Sequence, residues 1–151
     1  MSIKNVINQD LKQAMLAGDK ILVTTLRGLK SALLYAEVAK GLREQGLPDQ
    51  QVIELLGKEA KKRQESVDLY TQGGSPERAE AELAEKKVIE KYLPAQLSEA
   101  AVRELVTDVI AEIGATDMTA MGSVMTAVKE RTQGTADGAL IANIVREALG
   151  A

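Results

Sequence analysis

Tyr92-Leu93-Pro94-Ala95-Gln96-Leu97-Ser98-Glu99 decides how the chain is divided. Proline has no backbone N–H and disfavours helical backbone in the residue before it, so no helix runs through Pro94. Ser98 followed by Glu99 is a helix start: a hydroxyl that accepts from first-turn amides, then an acid at the positive end of the helix dipole. Residues 1–93 and 94–151 therefore read as two units hinged at Pro94.

Outward from that hinge, apolar residues return every three or four positions in both directions. Upstream, a first helix is expected over residues 2–17, with Ser2 as N-cap, Ile3, Val6, Ile7, Leu11 and Met15 inward, and Gly18 as stop. Asp19 caps a second, to about residue 40, along the stripe Leu22, Leu26, Leu29 and Leu33. Residues 41–48 read as a loop. A third helix spans about 49–72, with Val52, Ile53, Leu56, Ala60, Val67 and Tyr70 on one side. Gly73-Gly74 breaks it, and Ser75-Pro76 restarts the chain, Ser as cap and Pro at the first helical position. The fourth helix is expected to reach Tyr92 or Leu93 and to bury Ala81, Val88 and Tyr92.

Downstream, three shorter helices are expected over about 99–113, 118–132 and 137–149. Their inward residues are Val102, Leu105, Val106, Val109, Ile110 and Ile113; then Met121, Val124, Met125 and Val128; then Leu140, Ile141, Ile144 and Ala148. Gly114 and Gly134 mark the stops. The expected fold class is all-α, an N-terminal four-helix unit followed by a C-terminal three-helix unit.

Composition narrows the chemistry. Among the 151 residues there is no His, Cys, Phe or Trp, and Tyr occurs at 35, 70 and 92. The core must come from Leu, Ile, Val, Ala and Met. Without His or Cys there is no Ser-His or Cys-His nucleophile and no nitrogen- or sulfur-ligated zinc site. No phosphate-cradling or dinucleotide-binding glycine motif occurs, so no cofactor and no metal are expected. Intrinsic catalysis would rest on carboxylates, Lys, Tyr, Ser and Thr, and no spacing of these demands a site. The sequence offers no apolar run of about 20 residues for a membrane span and no signal-peptide core, and the expected location is cytoplasmic.

Five stretches together resemble one family. They are Leu26-Arg27-Gly28-Leu29-Lys30-Ser31-Ala32, Lys58-Glu59-Ala60-Lys61-Lys62-Arg63-Gln64-Glu65-Ser66, Tyr92 to Ser98, Met121-Gly122-Ser123-Val124-Met125 and Ala136-Asp137-Gly138. In this order, from residue 26 to residue 138, they are similar to the YqeY family. The resemblance implies a helical fold shared with the tail domain of GatB, a component of the glutamine-dependent aminoacyl-tRNA amidotransferase, where the tail is a tRNA-contacting appendage. It also implies the family's label of carbon–nitrogen ligase activity with glutamine as amido-N-donor, although this chain corresponds to the tail and not to the catalytic domain. The implied partners are tRNA and an aminoacyl-tRNA synthetase or amidotransferase. The function expected is thus a non-catalytic tRNA-associated accessory module, with a protein–protein adaptor docking on a translation enzyme as the alternative. Where the family commonly carries basic residues, this chain has Ser123 and Thr135.

Charge locates the candidate contacts. Residues 1–93 hold 15 Lys and Arg against 14 Asp and Glu, a net of +1, whereas residues 94–151 hold 4 against 8, a net of −4. Nucleic-acid affinity rises with the number of phosphates neutralised, so the second unit offers a small electrostatic footprint. The candidate RNA-binding residues there are Gly134, Thr135 and Gly138, which could present backbone amides at a helix N-terminus to a phosphate, with Lys129, Arg131 and Arg146 as the nearest cations; ordinary helix capping by Thr135 or Asp137 is the competing reading. In the first unit the candidates are Lys58, Lys61 and Lys62, on the outward face of the third helix alongside Glu54, Glu65 and Asp68. A charge-compensated, solvated face is the competing reading. At about 100° per residue Arg63 falls inside the apolar stripe instead, so it needs a carboxylate. Glu37 or Glu85 is expected to form a structural ion pair with Arg63 and tie three helices together.

Overall fold

The computed structural model describes residues 1–150, which form seven α-helices and a single 3₁₀ turn. In chain order these are α1 (Ile3–Ala17), α2 (Lys20–Ala39), α3 (Asp49–Gln72), α4 (Pro76–Glu90), α5 (Glu99–Ile113), α6 (Met121–Thr132) and α7 (Gly138–Gly150), with the 3₁₀ turn Met118–Ala120 leading into α6. No strand occurs among the described residues, and none of their helices is long and apolar enough to cross a membrane. The helices fall into two compact units, Met1–Leu93 and the residues from Pro94 onward.

Local signals account for the boundaries. Ser2, Asp19 and Ser98 each accept a hydrogen bond from the amide three residues on, at 3.2, 3.1 and 3.1 Å. Such a cap contributes about 1 kcal/mol by satisfying one orphaned amide. At the other ends of α1 and α5, Gly18 and Gly114 take left-handed backbone with φ of 72° and 74°, which glycine adopts without a Cβ clash. Ser75 makes no side-chain cap, contrary to expectation; α4 starts instead on Pro76, whose ring presets the helical φ.

In the first unit the leucine stripe of α2 is the centre. Leu26, Leu29 and Leu33 are fully buried against Ile7 and Leu11 of α1, Val52, Leu56 and Ala60 of α3, and Ile89 of α4. Each such leucine contributes about 2 kcal/mol of apolar burial. On α1 the inward residue is Ala14, not Met15, which is 53% exposed: Ala14 continues the Ile7–Leu11 row, while Met15 lies one position round the last turn.

The fourth helix differs most from expectation. It ends at Glu90, and its buried residues are Ala79 and Ile89, with Ala81 exposed and Val88 and Tyr92 half-buried. The reason is that Glu82, Glu85 and Lys86 are themselves half-buried. Their charges interrupt the apolar periodicity from which a buried face is read.

The second unit has a core of Val102, Val106 and Val109 of α5, Val124 and Val128 of α6, and Ile141, Ile144, Val145 and Leu149 of α7. Ile113 and Ala148, expected inward, are exposed; in the last turn of α7 it is Leu149 that turns inward. The unit's first residues, 94–97, are fastened to the α6–α7 loop. The Leu97 amide donates to the Thr135 carbonyl at 2.7 Å, and the Gln96 side-chain amide donates to the Pro94 and Gly134 carbonyls, both at 3.2 Å.

Candidate nucleic-acid interface

The loop between α6 and α7 is built by two successive left-handed residues. Gln133 has φ of 45° and Gly134 of 84°, so the chain reverses abruptly after Thr132. Gly134 takes this conformation at no steric cost, whereas Gln133 is strained there. Thr132 is buried and its carbonyl accepts twice from Thr135, from the amide at 2.9 Å and from the hydroxyl at 2.5 Å. With the Gln96 and Leu97 bonds, the loop is fixed from both sides before α7 begins.

That geometry sets what the candidate residues can do together. The helix opens at Gly138, directly after the acid Asp137, whose carbonyl accepts from the Ile141 amide at 3.0 Å; the positive end of its dipole lies here. The side chain of Lys129 crosses this end: a Cβ added to Gly138 would stand 3.9 Å from Lys129 Cε. Lys129 and Gly138 are thus side by side, while the Thr135 amide is spent on the Thr132 carbonyl. Thr135 faces inward through its hydroxyl, so it supports the loop and has no free donor on that oxygen.

The other two cations lie apart. Arg131 is held by Glu112 of α5, and this hydrogen bond is the main reason that its guanidinium is raised above, and the Glu112 carboxyl lowered below, their ordinary values. Arg146 lies eight residues into α7, about 12 Å along its axis from Gly138, and donates to Asn143 Oδ1 at 3.0 Å. Neither reaches the loop.

On α3 the three lysines are exposed, and carboxylates accompany them. Lys62 Nζ meets Glu59 Oε1 at 3.1 Å. Arg63 is half-buried and lies between helices: Nη1 meets Glu59 Oε2 at 2.8 Å, Nε meets Glu85 Oε2 at 3.1 Å, and Glu82 stands at 3.9 Å. Burial raises the Glu59 carboxyl, but the hydrogen bonds from Lys62 and Arg63 outweigh it and leave it below its ordinary value.

Glu37 is not a partner of Arg63. It is 1% exposed and accepts from Lys4 Nζ through both oxygens, at 2.7 and 2.8 Å, and from the Leu47 amide at 3.3 Å. The guanidinium therefore ties α3 to α4 alone. The carboxylate of α2 instead fastens α1 and the loop before α3, a pairing 33 residues apart that no local spacing announces. Glu59, by contrast, stands four residues before Arg63, and that spacing was a usable signal.

Two shallow clefts occur in the first unit. One, of about 250 Å³, is lined by Asp10, Leu22, Val88 and Tyr92 among others, and there the Tyr92 hydroxyl donates to Asp10 Oδ2 at 2.5 Å. Burial, then this bond to a carboxylate, raises the Tyr92 hydroxyl well above its ordinary value. The other, of about 290 Å³, lies between α3 and α4 around Val67, Pro76 and Leu83. Among the described residues no group of three acids could hold a metal ion.

The family model described as Yqey-like protein matches residues 4–149. The chain belongs to the YqeY family. No curated protein matches it. The match takes in both helical units, so the α6–α7 loop and the α3 ion cluster both belong to the YqeY domain.

Proposed function

We propose that this YqeY protein is a non-catalytic accessory module that associates with tRNA, contacting phosphate through the α6–α7 loop. The observation that carries the reading is the juxtaposition of Lys129 with the amide end of α7 at Gly138, on a loop fixed by Gln96, Leu97 and Thr132. A rigid amide end with one cation beside it is a phosphate-binding arrangement. The family resemblance to the GatB tail of the amidotransferase supports the same choice of ligand. The absence of His and Cys supports a module whose chemistry, where any follows, belongs to a partner enzyme.

With few cations engaged, binding is weak and shape-led. In a filter-binding titration with bulk tRNA, the expected Kd is roughly micromolar at low salt, with a shallow dependence on salt concentration because few counterions are released. Lys129→Glu weakens it several-fold. Affinity no better than that of an acidic control protein at low salt would end this reading.

A further inference from the structure

The outward face of α2 is left exposed by the described residues. Ile21, Leu34, Tyr35 and Val38 are 66%, 45%, 81% and 57% exposed. Ile21, Thr24, Gly28, Ser31, Tyr35 and Val38 recur at alternating spacings of three and four, the seam by which one helix lies along another. Gly28 sits in the middle of this seam. A glycine inside a helix costs about 1 kcal/mol relative to alanine, and nothing lies within 4 Å of the place its Cβ would take. Among the described residues no neighbour requires it to be small, as is also true of Gly57 and Gly122; a second helix approaching closely along the α2 seam would.

The charges beside the seam are of one sign. Lys20, Arg27 and Lys30 are exposed, and among the described residues none of them takes part in an ion pair. The single acid of α2, Glu37, is buried on Lys4. On α3, α4 and α5, by contrast, Lys62, Lys86 and Arg103 each meet a carboxylate of the same helix.

We infer that the outward face of α2 is a docking surface for an amphipathic helix with acidic flanks, presented by a partner protein. The apolar seam of such a helix covers Ile21, Leu34, Tyr35 and Val38, and its carboxylates meet Lys20, Arg27 and Lys30. A nucleic-acid backbone would satisfy the cations but leave Leu34 and Val38 in water. The seam from Ile21 to Val38 is about 25 Å long, five turns of helix. A single-helix contact of that size sits at the weak end of specific interfaces. The docking face shares no residue with the α6–α7 loop, so it stands apart from the tRNA reading.

The test uses the full chain and two fluorescein-labelled 21-residue peptides. Both carry Leu and Ala along one seam; one has Glu on its flanks and the other Lys. By fluorescence anisotropy the Glu peptide is expected to bind with a Kd of about 10 μM and the Lys peptide at least tenfold more weakly. Arg27→Glu with Lys30→Glu should weaken the Glu peptide at least tenfold. Gly28→Leu, which favours the helix, should block docking while circular dichroism stays unchanged. Equal binding of the two peptides, or no effect of either variant, overturns the inference. A dimer in light scattering that Gly28→Leu dissolves makes the occupant a second copy and also overturns it. Loss of tRNA binding in the charge-reversed variant, with peptide binding intact, assigns the face to phosphate and overturns it too. If tRNA binding fails while peptide docking behaves as described, only the tRNA reading falls.

Discussion

The two units solve the same problem, burying one face of each helix, with different materials. The residues from Pro94 onward close over a valine and isoleucine core, and their ion pairs, Arg103 with Glu99 and Glu147 and Arg131 with Glu112, lie on the surface. The first unit has a leucine core but brings charge inward at two places, Glu37 on Lys4 and Arg63 among Glu59, Glu82 and Glu85. An ion pair taken out of water depends on both partners, because either one alone is an uncompensated charge. A surface pair contributes little, since water and salt screen it. The first unit should therefore be sensitive at its charges and the second at its methyl groups.

Lys4→Ala is the strongest way to break that contrast. It leaves the Glu37 carboxylate buried with the Leu47 amide as its remaining partner, and should cost about 3 kcal/mol, seen as a lowered denaturation midpoint in urea. Replacing the pair together, Lys4→Met with Glu37→Met, should recover much of the loss. An unchanged midpoint in Lys4→Ala would mean that the buried pair does not hold the unit.

Arg63→Met should be milder, about 1–2 kcal/mol, because its carboxylates keep some access to water. Its pH dependence is the sharper test. The folded Glu59 carboxyl lies below the ordinary 4.5, so the folded chain binds that proton less readily than the unfolded chain. Its stabilisation is complete above about pH 4.5 and is lost as pH falls through the lowered value. Glu59→Gln should flatten the stability curve in that acidic window and leave its shape at neutral pH alone; a curve as steep as the parent's would rule Glu59 out as the group.

At the small end, Arg131→Ala and Arg103→Ala should leave the denaturation midpoint of the second unit within error at 0.15 M salt. A clear drop in either would erase the distinction between the units.

How far each unit could be read from its residues follows from the same difference. Along the middle turns of α5 and α6 the inward residues are valines, so Val102, Val106, Val109, Val124 and Val128 could be placed by period alone. On α4 the inward-facing side includes Glu82, Glu85 and Lys86, and the apolar period there points to Ala81, which is exposed. In the candidate interface, the glycines of the α6–α7 loop and the cations near it were visible as residue types. Which cations share a place was not. Lys129 reaches Gly138, while Arg131 is drawn off to Glu112 on another helix.

From the residues alone came the all-helical class, nearly every helix boundary, the break at Pro94 and the need of Arg63 for a carboxylate. Each rests on local physics: capping hydroxyls, glycine and proline backbone limits, and a 3.6-residue period that puts leucine and valine on one side. The tertiary structure decided which carboxylate Arg63 takes, that Glu37 belongs to Lys4, and that α2 keeps an apolar, basic face with nothing packed on it. Those outcomes depend on the rotation of one helix against another, and residues far apart in the chain set that rotation through the packing of the whole core.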